Sequence, residues 1–187
     1  MNRTTRINHQ GVVAHISSIA YASLDNVIEE CFSKGISPLI MVLDRITDVR
    51  NFGAIARTAD VAGVHALVIP EKGSAQINSD AVKTSAGALN FLPVCRVKNL
   101  YYTVKDLKKM GLNVVSATEK TERKMYDADF SLPTALILGS EEDGISPELM
   151  GITDEFVGIP MAGNIESLNV SVAAAVLIYE AIRQRRE

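Results

Sequence analysis

The chain has 187 residues, 47% of them hydrophobic and 22% charged, which suits one soluble globular domain with a sizeable core. A net charge of −3 argues against a protein that coats nucleic acid nonspecifically, although a local basic patch stays open. The apolar run Ala173–Ile178 is too short for a membrane span, and the start lacks a secretory pattern, so the cytoplasm is the expected compartment.

The first acidic residue is Asp25, so the opening segment with Arg3, Arg6 and His9 is purely basic. Residues 1–11 read as a basic linker and 12–187 as one catalytic domain. Val12–Ile16 is a short strand candidate. Ser23 caps a helix in which Leu24, Val27, Ile28, Cys31 and Phe32 recur at helical spacing; Gly35 stops it and Pro38 keeps it from resuming. Leu39–Leu43 is an uninterrupted apolar run, the mark of a strand buried on both faces. A loop from Arg45 to Asn51 leads to a helix over Phe52–Ala62, ended by Gly63. Ala66–Ile69 is a second buried strand, followed by a loop to Ser79 and a short helix over Asp80–Ser85. Leu92–Val97 is a third strand candidate, weakened by Pro93.

Asn99 caps a helix through Met110, closed by Lys108, Lys109 and Gly111. Val114–Ala117 is a strand and Thr118–Tyr126 a polar loop. Ala135–Leu138 is a buried strand running into Gly139-Ser-Glu-Glu-Asp-Gly144, and Pro147–Met150 is a helical turn. Phe156–Ile159 is the last strand. A loop with Pro160, Gly163 and Asn164 then enters a closing helix that is apolar on nearly every face, the pattern of a buried helix. Strands alternating with helices predict an α/β fold, a mostly parallel sheet with helices on both faces.

Cys31 and Cys95 form no CxxC pair and read as reduced, buried thiols. His9, His15 and His65 have no ligand spacing with any other cluster, so no metal is expected. In open parallel sheets ligands bind beyond the carboxyl ends of the strands, and unusual loops stand there. Asn51 lies at a helix start with Gly53 and Arg57 just behind it. Gly53 allows another backbone or a ligand to approach. Asn51 reads either as an N-cap or as a site residue, and Arg57 either as an i,i+3 partner of Asp60 or as a site residue. Gly139–Gly144 brackets acidic residues suited to a cationic or hydroxylated ligand, or is a solvated acidic turn. Ser167 is an N-cap before the last helix or a site group. GxGxxG and GxxxxGK[ST] are both absent, which sets aside dinucleotide and P-loop readings.

Taken together, Asn51-x-Gly53-x-x-x-Arg57, Gly139-x-Glu141-x-x-Gly144, and Ile159-Pro160-Met161 with Ser167-Leu-Asn169-Val-Ser171 resemble the motif signature of the SpoU/TrmH family. These are S-adenosylmethionine-dependent RNA ribose 2′-O-methyltransferases of the SPOUT superfamily. The resemblance covers roughly residues 39–186. His9-Gln-Gly-Val-Val-Ala14 and Lys83-Thr-Ser-Ala-Gly87 look most like the bacterial ribosomal-RNA guanosine subgroup, whose members usually carry an additional N-terminal RNA-binding domain that is expected to be missing from this chain.

The resemblance implies a C-terminal deep trefoil knot and S-adenosylmethionine lying bent within it, with no metal. It places Thr118, Leu138, Gly139, Glu141, Gly144, Ile159, Met161, Leu168 and Asn169 around the cofactor. It assigns catalysis to Arg57, Asn51, Glu141, Ser167 and Asn169, with Arg57 as base or as polariser of the ribose hydroxyl. It implies RNA contacts from Arg45, Arg50, Arg57, Arg123 and Lys124, an rRNA substrate (23S), and a homodimer formed through the knot and the C-terminal helix. Two alternatives remain at this stage: a tRNA substrate, and a non-catalytic RNA-binding assembly module with the same fold.

Overall fold

The computed structural model describes residues 19–165 and 167–186; the linker and the strand expected over Val12–Ile16 lie outside the described residues. Helices α1 (Leu24–Ser33), α2 (Val49–Ala62), α3 (Ser79–Thr84), α4 (Leu100–Lys109), α5 (Pro147–Met150) and α6 (Val170–Arg185) alternate with strands β1 (Leu39–Leu43), β2 (Ala66–Pro70), β3 (Val94–Val97), β4 (Asn113–Ala117), β5 (Thr134–Leu138) and β6 (Glu155–Val157). The strands form one sheet in the order β3-β2-β1-β5-β4-β6, and every pairing is parallel.

β1 and β5 sit at the centre, and all their residues are buried. Side chains alternate along a strand, so β1 feeds two cores. Leu39, Met41 and Leu43 face Phe52, Ile55 and Ala59 of α2 and Ala174, Leu177 and Ile178 of α6. Ile40 and Val42 face Ile28 of α1, Val104 and Leu107 of α4, and Leu149 of α5. Both faces of the sheet are therefore covered, which is why continuous apolar runs are tolerated.

Several boundaries differ from the sequence expectation, each for a local reason. α2 begins three residues before Phe52 because Asp48 is its cap, accepting the Asn51 N–H at 2.8 Å. Asn51 is thereby placed inside the first turn and its side chain is left for other use. β3 starts at Val94: Pro93 has no N–H to give the ladder, although its carbonyl accepts from Leu67 at 2.9 Å. β6 ends at Val157, and Gly158 pairs instead with the loop after β4. It donates to Arg123 O at 2.9 Å and accepts from Met125 N–H at 3.0 Å. The expected polar loop Thr118–Tyr126 thus carries a parallel bridge at Lys124 and leads into a 3-10 turn over Met125–Asp127.

The closing helix is the main correction. It is not buried all round: Val170, Ala174, Leu177, Ile178 and Ala181 are buried, while Val172 and Tyr179 are 47% and 52% exposed. Its cap is Asn169, whose side-chain oxygen accepts from the N–H groups of Ser171 and Val172, and not Ser167.

Candidate functional site

β1 and β5 are neighbours in space but far apart in the chain. From β1 the chain moves to β2 and β3 on one side; β5, β4 and β6 lie on the other. That reversal leaves a crevice beyond the carboxyl ends of β1 and β5. The loop after β1 leads to Asn51, the loop after β5 is Gly139–Gly144, and α6 begins close enough for Asn169 to reach both.

The acidic loop is held tightly. Ser140 and Gly144 exchange both backbone hydrogen bonds, at 3.1 and 3.0 Å. Gly139 permits the closure: a Cβ there would lie 2.0 Å from the carbonyl carbon of Gly144. From the β1 side, Arg45 clamps the loop, donating to Asp143 Oδ2 at 3.1 Å and to Gly144 O at 3.0 Å. Behind it, buried Asp44 accepts the Ser146 N–H at 2.7 Å. Gly53 plays the close-approach role expected of it against α3, since a Cβ there would sit 2.7 Å from Thr84 Cβ.

Asn169 joins the motifs. Its side-chain N–H₂ donates to Asn51 Oδ1 at 3.0 Å and to Glu141 Oε1 at 2.5 Å. The same Glu141 oxygen accepts the Val170 N–H at 3.2 Å. A carboxylate there meets the unpaired N–H groups and the positive end of α6. Asn169 Oδ1 accepts from the Ser171 N–H at 3.0 Å and from the Ser171 hydroxyl at 2.5 Å. One amide thus caps a helix with its oxygen and ties the first turn of α2 to the loop after β5 with its nitrogen.

Beside this junction is a cavity of about 470 Å³, within the roughly 300–1,000 Å³ of small-molecule sites. Thr118, Leu138, Gly139, Glu141, Gly144, Ile159, Met161, Leu168 and Asn169 all line it, as does Ser167. The backbone N–H groups of Ile159, Met161 and Leu168 have no hydrogen-bond partner among the described residues. They leave free donors on its wall. Glu119, Lys120, Glu142 and Asp143 also line it; Glu142 and Asp143 belong to the acidic loop that the sequence marks, whereas Glu119 and Lys120 were not singled out. The first two directly follow β4, so the strand-end rule applied to that strand locates them. Carboxylates at this rim favour a cationic ligand.

Arg57 is exposed, does not line the cavity, and has no ion pair with Asp60; its guanidinium has no partner among the described residues. It lies on the solvent face of α2 with Arg50 and Val61, spaced seven and four residues away. Asn169 therefore reaches Asn51 and not Arg57. Among the other cations, Arg123 is engaged with Glu155 at 2.6 Å and Asp127 O at 2.7 Å, and Arg45 is occupied as described. Arg50 and Lys124 are exposed. Both thiols are buried; burial, then Asp25, pushes the Cys95 thiol up to about 11, so it is no nucleophile at neutral pH. Among the described residues no group of side chains is arranged to hold a metal, and no helix is long and apolar enough to cross a membrane.

Residues 38–179 match the model of the SpoU rRNA Methylase family. The 23S rRNA (guanosine-2′-O-)-methyltransferase RlmB of Ralstonia nicotianae is 42% identical over 95% of this chain and 70% of its own length. The protein of that name from Escherichia coli is 36% identical over 95% of this chain and 72% of its own. Among solved structures, the SpoU methyltransferase AviRb of Streptomyces viridochromogenes in complex with AdoMet superposes with a TM-score of 0.74. It is 34% identical, over 81% of this chain and 59% of that one. The A. aeolicus TrmH/SpoU tRNA modifying enzyme gives a TM-score of 0.74 at 32% identity, over 86% and 85% of the two chains.

Proposed function

The chain belongs to the SpoU rRNA methylase family, and from that premise we propose that it transfers a methyl group from S-adenosylmethionine to a ribose 2′-hydroxyl of RNA, at a guanosine of large-subunit (23S) rRNA in the cytoplasm. The observation that carries this reading is the hydrogen-bonded junction Asn51–Asn169–Glu141 at the rim of the cavity. It unites residues from three separated motifs at the crevice where such folds bind ligands.

The residues around the cavity suit the cofactor. Free backbone donors on Ile159, Met161 and Leu168 match the acceptor nitrogens and oxygens of adenine and ribose, and Thr118 and Gly139 line the same wall. Glu119, Glu141, Glu142 and Asp143 complement a sulfonium cation. Bound there, S-adenosylmethionine supplies a methyl group already activated by its sulfonium charge.

The chain must then align the ribose oxygen and help remove its proton. Glu141 already accepts from Asn169 and Val170, which makes it an orienting anion and not the base. Asn51 is held by Asn169 and presents the remainder of its amide to the ribose. Arg57 has an unengaged guanidinium on the exposed face of α2. Guanidinium stays protonated, so Arg57 acts by binding the RNA phosphate and polarising the hydroxyl, with the proton leaving through phosphate or water. Arg50 and Lys124 are the exposed cations best placed to add phosphate contacts.

Two architectural features belong to the same reading. Gly158 is hydrogen-bonded to Arg123 and Met125, and the chain then returns to pack α6 on α2, which supports a C-terminal trefoil knot through the 118–127 loop. The exposed stripe of α6 with Val172 and Tyr179 supports a homodimer through that helix. Replacing Arg57 by Ala is expected to abolish single-turnover methyl transfer to purified rRNA while cofactor affinity, measured by calorimetry, stays within about twofold. Near-normal turnover in that variant, or no S-adenosylmethionine binding by the unmodified chain, overturns the reading.

A further inference from the structure

A second cavity, of about 360 Å³, opens beyond the carboxyl ends of β2 and β3 and is lined by Tyr21, Glu71, Gln76 and Arg96 among others. Nothing in the proposed cofactor site uses it. We infer that it is the pocket for the base of the guanosine being methylated, with Glu71 reading the Watson–Crick edge of guanine beside a stacking wall made by Arg96 on Tyr21. This rests on the reading above, that the substrate is an RNA guanosine.

The wall is already built. The Arg96 guanidinium lies 5.4 Å from the centroid of the Tyr21 ring. Its Nη2 donates to the Glu71 carbonyl at 2.9 Å, which fixes the guanidinium beside the residue whose side chain does the reading. Guanidinium planes and aromatic rings are the surfaces on which unstacked RNA bases rest. The loop is also rigid: Ser74 Oγ donates to Pro70 O at 2.8 Å, and Asn78 Oδ1 accepts from Asp80 and Ala81 at 3.0 and 3.1 Å.

The specificity follows from what is left unengaged. The side chains of Glu71 and Gln76 have no hydrogen-bond or ion-pair partner among the described residues. A carboxylate only accepts. Guanine alone offers two adjacent Watson–Crick donors, N1–H and the N2 amino group, and so matches both carboxylate oxygens at once. The amide of Gln76 supplies a donor for guanine O6. The carboxylate of Glu71 repels a phosphate, and the guanidinium of Arg96 in the same cavity is already held by the Glu71 carbonyl and the Tyr21 ring, which favours the base over the RNA backbone as occupant.

The position fits as well. Ala75 N–H donates to Ile46 O at 2.8 Å, pinning the 71–78 loop to the loop that leads into α2 and Asn51. β2 and β1 are neighbours, and strands are about 4.8 Å apart. The cavity therefore lies roughly one to two strand spacings from the β1 end, on the side of the sheet whose loop is tied to the segment leading to Asn51, where the proposal places the ribose.

The test has two arms on the 187-residue chain. In the first, backbone amide NMR follows titration with GMP, IMP and AMP; IMP lacks only the 2-amino group. GMP is expected to shift the amides of residues 71–77 and Arg96 at concentrations at least about fivefold lower than IMP or AMP, and Glu71→Ala removes the difference. Unmoved amides, or equal response to GMP and IMP, overturn the inference. In the second, methyl transfer is compared on RNA carrying guanosine or inosine at the mapped target. The unmodified chain is expected to favour guanosine by about ten- to a hundredfold, the usual range for a paired base contact, and Glu71→Ala to bring the ratio near one with S-adenosylmethionine affinity unchanged. A ratio that Glu71→Ala leaves intact overturns the inference alone. If no RNA is methylated at all, the functional reading fails while the nucleotide titration still decides the pocket.

Discussion

Asn169 separates stability from function within one side chain. Its oxygen caps α6, and its nitrogen holds Asn51 and Glu141. Asn169→Ala removes both and is expected to cost about 1 kcal/mol of stability, the usual worth of a cap, or roughly 2–4 °C in melting temperature. Asn169→Asp keeps an acceptor for the cap but removes the donor and sets a second carboxylate against Glu141. It should therefore bind S-adenosylmethionine at least about tenfold more weakly, with the like-charge repulsion offsetting the stability that the retained cap contributes. Calorimetry alongside thermal melting checks this; equal affinity in the Asp variant would mean that the bridge does not organise the cavity. The sequence pointed to both Ser167 and Asn169 as site residues and left Ser167 open as the cap, a role that falls to Asn169. Ser and Asn are comparably good caps. What decides between them is Glu141, which arrives from another strand and anchors the first turn at Val170, a contact without any local trace.

At the scale of elements, the buried strands were the most legible part. Leu39–Leu43, Ala66–Ile69 and Ala135–Leu138 are runs that only a sheet covered on both faces can hold, and they became β1, β2 and β5 with shifts of at most a residue. How α6 is covered was not legible, because an all-apolar helix can be covered by its own domain or by a partner, and periodicity is blind to which. Its inner face packs on α2, and its outer face leaves Val172 and Tyr179 about half exposed. If a second copy covers that stripe, Val172→Glu combined with Tyr179→Glu places charge in the interface and should convert a dimer to monomer in sedimentation velocity. The inner face is untouched, so the far-UV circular dichroism should stay unchanged. A double variant that sediments like the unmodified chain would remove α6 as the dimer face. The pairing of Gly158 with Arg123 and Met125 was equally illegible, because contacts between a late strand end and an earlier loop leave no pattern in composition or spacing.

Across the whole molecule, the amino ends of the central strands are tied together by groups that the sequence left without a role. Arg185, near the end of α6, donates to Phe130 O, Ser37 O, Pro38 O and Leu132 O, joining the last helix to the entrances of β1 and β5. Beside it, His65 Nδ1 accepts the Leu39 N–H at 3.0 Å, and the backbone N–H of His65 donates to Leu39 O at 3.0 Å. Burial first, and then the Arg185 charge, hold the His65 imidazole below its ordinary range. Protonation at Nδ1 would also leave the Leu39 N–H facing a donor, which acts in the same direction. The unfolded chain therefore binds this proton more readily than the folded one, and stability falls as protons bind preferentially to the unfolded state. The contribution is fully present above about pH 6.5, the unperturbed value, and is lost progressively as the pH drops towards the lower folded value. Urea unfolding at pH 7.5 and 5.5 should show a lower midpoint at the acidic end. His65→Asn, which retains an acceptor near the position of Nδ1 but does not titrate, should reduce that difference. An identical pH dependence in the two proteins would assign the acid sensitivity to other groups and leave His65 with only its hydrogen bond to β1.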